Sequence, residues 1–149
     1  MMYTDQFIRD YNHVDFQNAF RAYFTELGIQ VTDWNGLFQQ MTDEGVPAIV
    51  RQNEMGTVIG FIQFSRIEMT SWFFEERYGF IQEFWIAPEY RGQGQGTSLL
   101  KQAEGWFEKQ GVRKMILTTD TAEAFYVRRG YRRANGVAAK NRSPVYVKE

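Results

Sequence analysis

The stretch that decides the fold is EYRGQGQGTSLL, residues 89–100, in which three glycines stand at alternate positions before an apolar run. Glycine costs backbone entropy in an ordered segment, so Gly92, Gly94 and Gly96 need a physical reason for lying so close together. A plain flexible loop is one such reason. A backbone that must approach a ligand closely is another, and the neighbouring elements decide between the two.

The three glycines lie between a predicted strand and a predicted helix. Residues 78–87, YGFIQEFWIA, have a strand-like composition that Pro88 interrupts. Apolar side chains then recur at helical spacing over residues 94–110, and Gly111 is a stop signal. Backbone N–H groups and the helix dipole favour anions at such a junction. The sequence therefore predicts a pyrophosphate cradle at this loop.

The rest of the chain predicts an α+β fold with a mixed sheet, organised as a single domain over residues 1–149. Long antiparallel strands come first and a β-α-β-α unit follows. The predicted elements are a strand at 6–11, helices at 14–27 and 34–41, strands at 48–51, 57–69 and 78–87, a helix at 94–110 and a strand at 113–119. A short helix opened by Asp120 as a capping box with Glu123 follows, and two strands end the order, the last of them at 145–148.

The composition narrows the function classes. A net charge of −1 gives no basic field for a nucleic-acid backbone, so no nucleic-acid partner is expected. The absence of Cys excludes a cysteine nucleophile and thiolate metal sites, and a lone histidine, His13, disfavours a metal cluster or a catalytic triad. No metal, signal peptide or membrane span is expected, and the predicted location is cytoplasmic.

Two common phosphate cradles fit the loop poorly. A P-loop requires Gly-Lys-Ser/Thr, and no Lys follows Gly96. The dinucleotide-binding fingerprint requires a third glycine where Leu99 stands.

A third cradle matches. Arg91-x-x-Gly94-x-Gly96 resembles the Gln/Arg-x-x-Gly-x-Gly/Ala motif of the GNAT family of N-acetyltransferases. Further on, AEAFYVRRGY at residues 122–131 resembles that family's second signature, a short helix ending in Tyr-x-x-x-Gly-Phe/Tyr. The resemblance is strongest over residues 83–131. It implies a mixed, mostly antiparallel sheet flanked by helices, with strands splayed at the acetyl-CoA site.

The resemblance implies acetyl-CoA as the acetyl donor. Backbone groups of the strand before the loop would bind the pantetheine arm, and an amide near Ile86 would face the thioester oxygen. The same strand also reads as an ordinary core strand, and both can hold because core packing uses side chains. At Thr119 many family members carry Asn, and a hydroxyl can still donate a hydrogen bond. The implied cofactor-binding residues are Phe84, Trp85, Ile86, Arg91, Gly92, Gln93, Gly94, Gln95, Gly96, Thr97 and Thr119.

Two residues are candidates for catalysis. Tyr126 matches the family's tyrosine near the CoA sulfur, which acts as general acid toward the leaving thiolate. The alternative is a purely packed tyrosine. Glu83 is the candidate base that removes a proton from the acceptor ammonium, and the alternative is a solvated strand carboxylate. Without Cys, direct attack on the thioester in a ternary complex is the expected route.

The acceptor class stays open. Trp34, Trp72 and Phe73 are large aromatics at predicted turns, close in sequence to acidic residues, and this combination suits a cationic amine. The alternative is that residues 72–74 cap the core or form a homodimer contact. A polyamine, an aminoglycoside, an amino acid or a peptide amine would each serve, so the expected partner is a small-molecule or peptide amine. A non-catalytic CoA-binding module is the competing function.

Overall fold

The computed structural model describes residues 2–70, 73 and 75–149 of the chain. Its elements alternate much as the sequence predicts, with one additional 3₁₀ turn after the fourth strand. In chain order they are β1 (Thr4–Ile8), α1 (Val14–Leu27), α2 (Trp34–Glu44), β2 (Ala48–Gln52), β3 (Val58–Thr70), β4 (Glu75–Ile86), the 3₁₀ turn Pro88–Tyr90, α3 (Gln95–Glu108), β5 (Lys114–Thr118), α4 (Glu123–Val127), β6 (Arg132–Arg133) and β7 (Val145–Lys148).

The strands of the described chain form a seven-stranded mixed sheet in the order β1-β2-β3-β4-β5-β7-β6. β2 pairs antiparallel with β1 and with β3, and β7 pairs antiparallel with β5 and with β6. β4 and β5 are parallel, and their ladder joins residues 78–80 to residues 114–116 although β4 continues to Ile86. The predicted α+β fold with a mostly antiparallel sheet is confirmed.

The first two helices begin and end at capping residues. His13 Nδ1 accepts a hydrogen bond from the Phe16 amide at 3.0 Å, and Gly28 closes α1 in the left-handed region at φ 74°. Asp33 accepts a hydrogen bond from the Gly36 amide at 2.9 Å and thereby caps α2. The predicted bounds of α1 are correct, whereas α2 runs three residues beyond its predicted end.

Contacts divide the chain into two compact units, and the first comprises Met1–Phe64 and Glu83–Ala103. Its core is largely aromatic. The Phe61 ring of β3 lies 5.1 Å from Phe16 and 5.6 Å from Phe20 of α1, between ring centroids. Each such buried Phe contributes about 1.5–3 kcal/mol. The cluster therefore fixes α1 against the strands of this unit.

The second unit comprises Ser65–Gln82 and Glu104–Glu149. Tyr78, Ile116, Val145 and Val147 form its buried cluster on β4, β5 and β7, and Phe80 packs against it. One end of β5 leads into α4 through a turn that the Thr119 hydroxyl stabilises.

Two further sequence predictions, those for the Asp120 cap and the first strand, are wrong in their details. Asp120 does not cap α4, because the helix begins at Glu123 and the Ala122 amide donates instead to Thr119 Oγ1 at 3.0 Å. The first strand spans Thr4–Ile8 rather than residues 6–11, and the Tyr11 amide donates to Thr42 Oγ1 of α2 at 2.9 Å instead of to a neighbouring strand. None of the described helices is long and apolar enough to cross a membrane.

Candidate active site

The glycine loop adopts a backbone conformation that favours glycine. Gly92 has φ 75° and Gly94 has φ 83°, both in the left-handed region. A Cβ added at either position would meet no atom within 4 Å, so conformation rather than crowding within the protein requires these glycines. Gly94 O accepts a hydrogen bond from the Ser98 amide at 3.1 Å, and α3 then continues for 14 residues. The exposed loop therefore leads directly into the N-terminus of a full-length helix, where backbone amides favour an anion.

A buried arginine that the sequence analysis missed anchors the first turn of α3. Arg51 of β2 is 7% exposed, and its guanidinium donates to Gln95 Oε1 at 2.7 Å and to Ser98 Oγ at 2.8 Å. The Gln95 side chain is thereby turned into the protein. Any contribution of Gln95 to anion binding would come from its backbone.

The other side of the same guanidinium is held by an acidic residue of β1. Arg51 donates to both carboxylate oxygens of Asp5 at 2.7 Å, and Gln102 Nε2 donates to Asp5 Oδ2 at 2.7 Å. The hydrogen bonds from Arg51 hold the pKa of Asp5 below its usual range. β1, β2 and α3 are therefore joined behind the glycine loop by one polar network, in which Asp5 stays ionised.

The strand segment implied for pantetheine binding is tied to α1. Trp85 is 8% exposed, and its Nε1 donates to Glu26 Oε1 at 3.1 Å. Arg91 donates through Nη2 to the Glu26 carboxylate at 2.7 Å and through Nε to the Ile86 carbonyl at 2.8 Å. The hydrogen bonds from Arg91, and then from Trp85, lower the pKa of Glu26. Arg91 thus faces α1 and β4, and its predicted cofactor contact stays a prediction.

Glu83, the candidate base, is paired with a tyrosine of α1. The Tyr23 hydroxyl donates a hydrogen bond to Glu83 Oε2. Burial raises the pKa of Glu83, and the hydrogen bond from Tyr23 opposes that rise only in part. A carboxyl whose pKa is raised toward neutrality is better matched to proton transfer than an ordinary glutamate.

Tyr126, the candidate acid, lies in the second unit. It is 7% exposed, and its ring packs 5.1 Å from Phe125 and 5.6 Å from Tyr131, between centroids. Burial raises the pKa of Tyr126, so the phenol stays protonated at neutral pH. Tyr131 in turn donates to Glu104 Oε2 at 2.8 Å, and Lys148 donates to the same oxygen at 3.1 Å.

Thr119 forms hydrogen bonds within the turn that follows β5. Its hydroxyl accepts the hydrogen bond from the Ala122 amide, and its backbone amide donates to the Pro144 carbonyl at 3.1 Å. A contact between Thr119 and the cofactor stays a prediction.

The aromatic residues predicted for the acceptor do not form one described group. Trp34 stacks on Phe38 with centroids 5.6 Å apart, and the Arg21 guanidinium lies 5.6 Å from the Trp34 ring. Phe73 is 89% exposed. Trp72 lies outside the described residues. The packing of Trp34 gives it a structural role in the first unit, and its role toward the acceptor stays a prediction.

The sequence analysis missed Tyr23, Glu26 and Arg51. Tyr23 and Glu26 are three residues apart, so they lie on neighbouring positions of one helix face, which was a signal available in the sequence. Nothing in the sequence pairs Arg51 with residues more than forty positions away.

Comparison with known families and structures gives a consistent result. The model of the family described as "Acetyltransferase (GNAT) family" matches residues 8–131. No curated protein matches the sequence significantly.

Solved structures share the fold at low sequence identity. A predicted acetyltransferase from Clostridium acetobutylicum, solved with acetyl-CoA, has a TM-score of 0.75 and 13% identity over 93% of this chain and 95% of its own. An acetyltransferase from Trypanosoma brucei has a TM-score of 0.72 and 17% identity over 93% and 98%. N-acetylglutamate synthase from Neisseria gonorrhoeae, complexed with coenzyme A and N-acetyl-glutamate, has a TM-score of 0.72 and 13% identity over 99% of this chain and 35% of its own.

Proposed function

This chain belongs to the acetyltransferase (GNAT) family, and we propose that it moves the acetyl group of acetyl-CoA to a primary amine by direct attack within a ternary complex. The acceptor is a small-molecule or peptide amine. Acetyl-CoA supplies an activated thioester, and the chain supplies binding, orientation and proton transfer.

One observation carries the proposal. The left-handed loop at Gly92 and Gly94 leads into an α3 whose first turn is held from behind by Arg51. That arrangement fits a pyrophosphate, because the loop is exposed, a Cβ-free backbone permits close approach, and the helix N-terminus favours negative charge. The residues that would hold the pyrophosphate are Gly92, Gln93, Gly94, Gln95 through its backbone, Gly96 and Thr97.

The chain's own groups complete the reaction in a balanced sequence. Glu83 accepts a proton from the acceptor ammonium, so that the amine nitrogen can form a bond to the acetyl carbon. The amide near Ile86 donates a hydrogen bond to the thioester oxygen as negative charge develops there. Tyr126 donates its proton to the sulfur as the carbon–sulfur bond breaks. The nitrogen loses its second proton to solvent as the amide forms, Tyr126 regains a proton from solvent, and Glu83 releases the one it accepted. The products are an acetamide, the free thiol of CoA and one proton.

The test is thiol release from acetyl-CoA with a panel of amines, with an acceptor-free control and the Tyr126→Phe variant. We expect turnover with one amine class and a loss of about 10²-fold or more in kcat for the variant. Equal kcat for the two proteins would contradict the role of Tyr126. Binding of CoA without turnover on any amine would favour a non-catalytic CoA-binding module. Failure to bind CoA would contradict the proposed pyrophosphate site at the glycine loop.

A further inference from the structure

Gly60 of β3 is a buried glycine that space, rather than backbone conformation, requires. Its φ lies outside the left-handed region, so the backbone strain that favours glycine at Gly94 does not apply here. A Cβ added to Gly60 would lie 2.7 Å from Ile86 Cδ1 and 3.0 Å from the Trp85 carbonyl oxygen, both on β4. Both distances are shorter than an ordinary van der Waals contact. A side chain at this position would therefore displace an atom of β4.

The Trp85 carbonyl oxygen belongs to the same peptide unit as the Ile86 N–H. Because that unit is planar, a displacement of the oxygen turns the whole plane and changes the direction of the N–H bond. The Ile86 amide is the proposed donor to the thioester oxygen. Stabilisation of a developing oxyanion depends on donors that are already aimed at the position of the charge. The space beside Gly60 therefore bears directly on the orientation of the proposed donor.

The groups on either side of this peptide unit are held in place by the first unit of the chain. The Ala87 amide donates to the Ile59 carbonyl of β3 at 2.8 Å, and Arg91 Nε donates to the Ile86 carbonyl at 2.8 Å. The Trp85 side chain on the other side is buried. β4 would have to break these contacts to move away from Gly60 as a whole. Rotation of the Trp85–Ile86 peptide is the smaller adjustment.

A β-bulge in β3 stands directly beside Gly60. Arg51 of β2 pairs with Gly60, and Gln52 pairs with Val58, so Ile59 has no partner on β2. Bulges bend a strand locally and are frequent next to active sites, where they change the direction of nearby groups. On its β2 side Gly60 faces Arg51, which anchors the first turn of α3, and on its other side it faces the Trp85–Ile86 peptide of β4.

We propose that Gly60 is a positioning residue for acetyl transfer: the missing side chain lets the Trp85–Ile86 peptide take the orientation in which the Ile86 amide faces the thioester oxygen. The inference rests on the proposed function for the reaction itself. The alternative is that Gly60 only makes room for the Ile86 side chain, whose Cδ1 is the nearest atom. The two explanations differ in which atom of β4 limits the space at position 60.

The test introduces Gly60→Ala into wild type and into Ile86→Val, and compares each product with its own parent. Ile86→Val removes Cδ1, the closer of the two atoms, and leaves the Trp85 carbonyl oxygen in place, so the double variant carries the milder clash. We expect kcat and kcat/KM for acetyl-CoA to fall together, about tenfold, in both backgrounds, because the affected interaction is made in the transition state. KM for acetyl-CoA should stay within about twofold of each parent's value.

Ile49→Val is the control for a loss of stability alone. Ile49 is a buried residue of β2 that takes no part in the proposed site, and its truncation leaves a small cavity. Ile49→Val should lower the urea unfolding midpoint without lowering kcat. A loss of kcat in Ile49→Val that matches the loss in Gly60→Ala would overturn the inference, since reduced stability would then explain both.

Residual dipolar couplings of backbone N–H groups separate failure of this inference from failure of the proposed function, because they report bond orientation whether or not any amine is acetylated. The Ile86 coupling should differ between the double variant and its Ile86→Val parent, while the Ala87 coupling stays the same. An unchanged Ile86 coupling, or the parent's kcat in the double variant, would overturn the inference while the transferase stands. A changed coupling in a protein that acetylates no amine would support the effect of Gly60 on the Ile86 amide while counting against the transferase.

Discussion

The Tyr23 hydroxyl donates a hydrogen bond to Oε2 of Glu83, and this bond joins α1 to β4 across 60 positions of the sequence. The Tyr23 ring also packs against Phe61, with centroids 5.5 Å apart. The Tyr23 side chain therefore packs in the aromatic core of the first unit and also forms a hydrogen bond with the candidate base. The acidity of Glu83 depends on how that core positions Tyr23.

Tyr23→Phe should shift the pH dependence of the reaction. Burial raises the pKa of Glu83 and the hydrogen bond from Tyr23 lowers it, so removal of the hydroxyl raises the pKa further. A base works in its deprotonated form, so the acidic limb of the kcat/KM profile should move to higher pH. The measurement is kcat/KM against pH for wild type and variant. Glu83→Gln should lose the limb altogether, and an unchanged limb in Tyr23→Phe would show that Glu83 is not the group that titrates.

Tyr126 should remain protonated well into the alkaline range. An unperturbed tyrosine has a pKa of about 10, and burial raises that of Tyr126. The acid should therefore be present throughout the working range, and kcat should show no alkaline decline up to about pH 9.5. Tyrosinate absorbance during an alkaline titration, taken as the difference between wild type and Tyr126→Phe, measures the pKa directly. A difference signal that appears below pH about 10 would contradict the expectation.

Gly94→Ala and Gly111→Ala form a matched pair. Both glycines have positive φ, 83° and 78°, and a Cβ would meet no atom within 4 Å at either position. Each variant should lose about 1 kcal/mol of unfolding free energy from backbone strain alone. Only Gly94→Ala should raise KM for acetyl-CoA, by about tenfold, because only that backbone lies in the proposed cradle.

Urea unfolding and acetyl-CoA kinetics on both variants check this prediction. Equal KM values for the two variants would mean that Gly94 serves conformation without approaching the cofactor.

Arg51→Met should destabilise the first unit strongly. The substitution preserves much of the side-chain volume but leaves the carboxylate of Asp5 and the amide of Gln95 without their shared donor. Loss of one partner of a largely buried pair costs about 3 kcal/mol. Arg66→Met removes an exposed pair with Glu68 and should cost less than about 1 kcal/mol. Urea unfolding midpoints measure both, and similar losses would contradict the structural role of Arg51.

The sequence predicted local features of the fold well because those features depend on neighbours. α1 has its predicted bounds because Gly28 stops the helix directly after its last apolar residue. The Asp120 capping box does not form, because α4 begins only at Glu123 and the Asp120 carboxylate accepts a hydrogen bond from Ser143 Oγ. Asp120 and Ser143 are 23 positions apart, so their contact was not visible in the local sequence pattern.

The candidate site was predictable where its function depends on backbone and not where it depends on distant side chains. The glycine loop and the helix behind it follow from the spacing of residues 91–96. The partners of Glu83 and Glu26 lie on elements far apart in sequence, so neither pairing follows from local periodicity. Long-range polar pairs carry no periodic signal, so Arg51 could be found only in three dimensions.

Contacts at both ends of α1 fix the direction in which each side chain of the helix points. Phe16 and Phe20 pack into the core, while Glu26, near the C-terminal end, accepts hydrogen bonds from Trp85 and Arg91. Insertion of a single residue after Phe20 would turn the end of the helix by about 100°, since one turn takes 3.6 residues. A change in the length of α1 between Phe20 and Glu26 would therefore move the Glu26 carboxylate away from Trp85 and Arg91 and disconnect the helix from the strand.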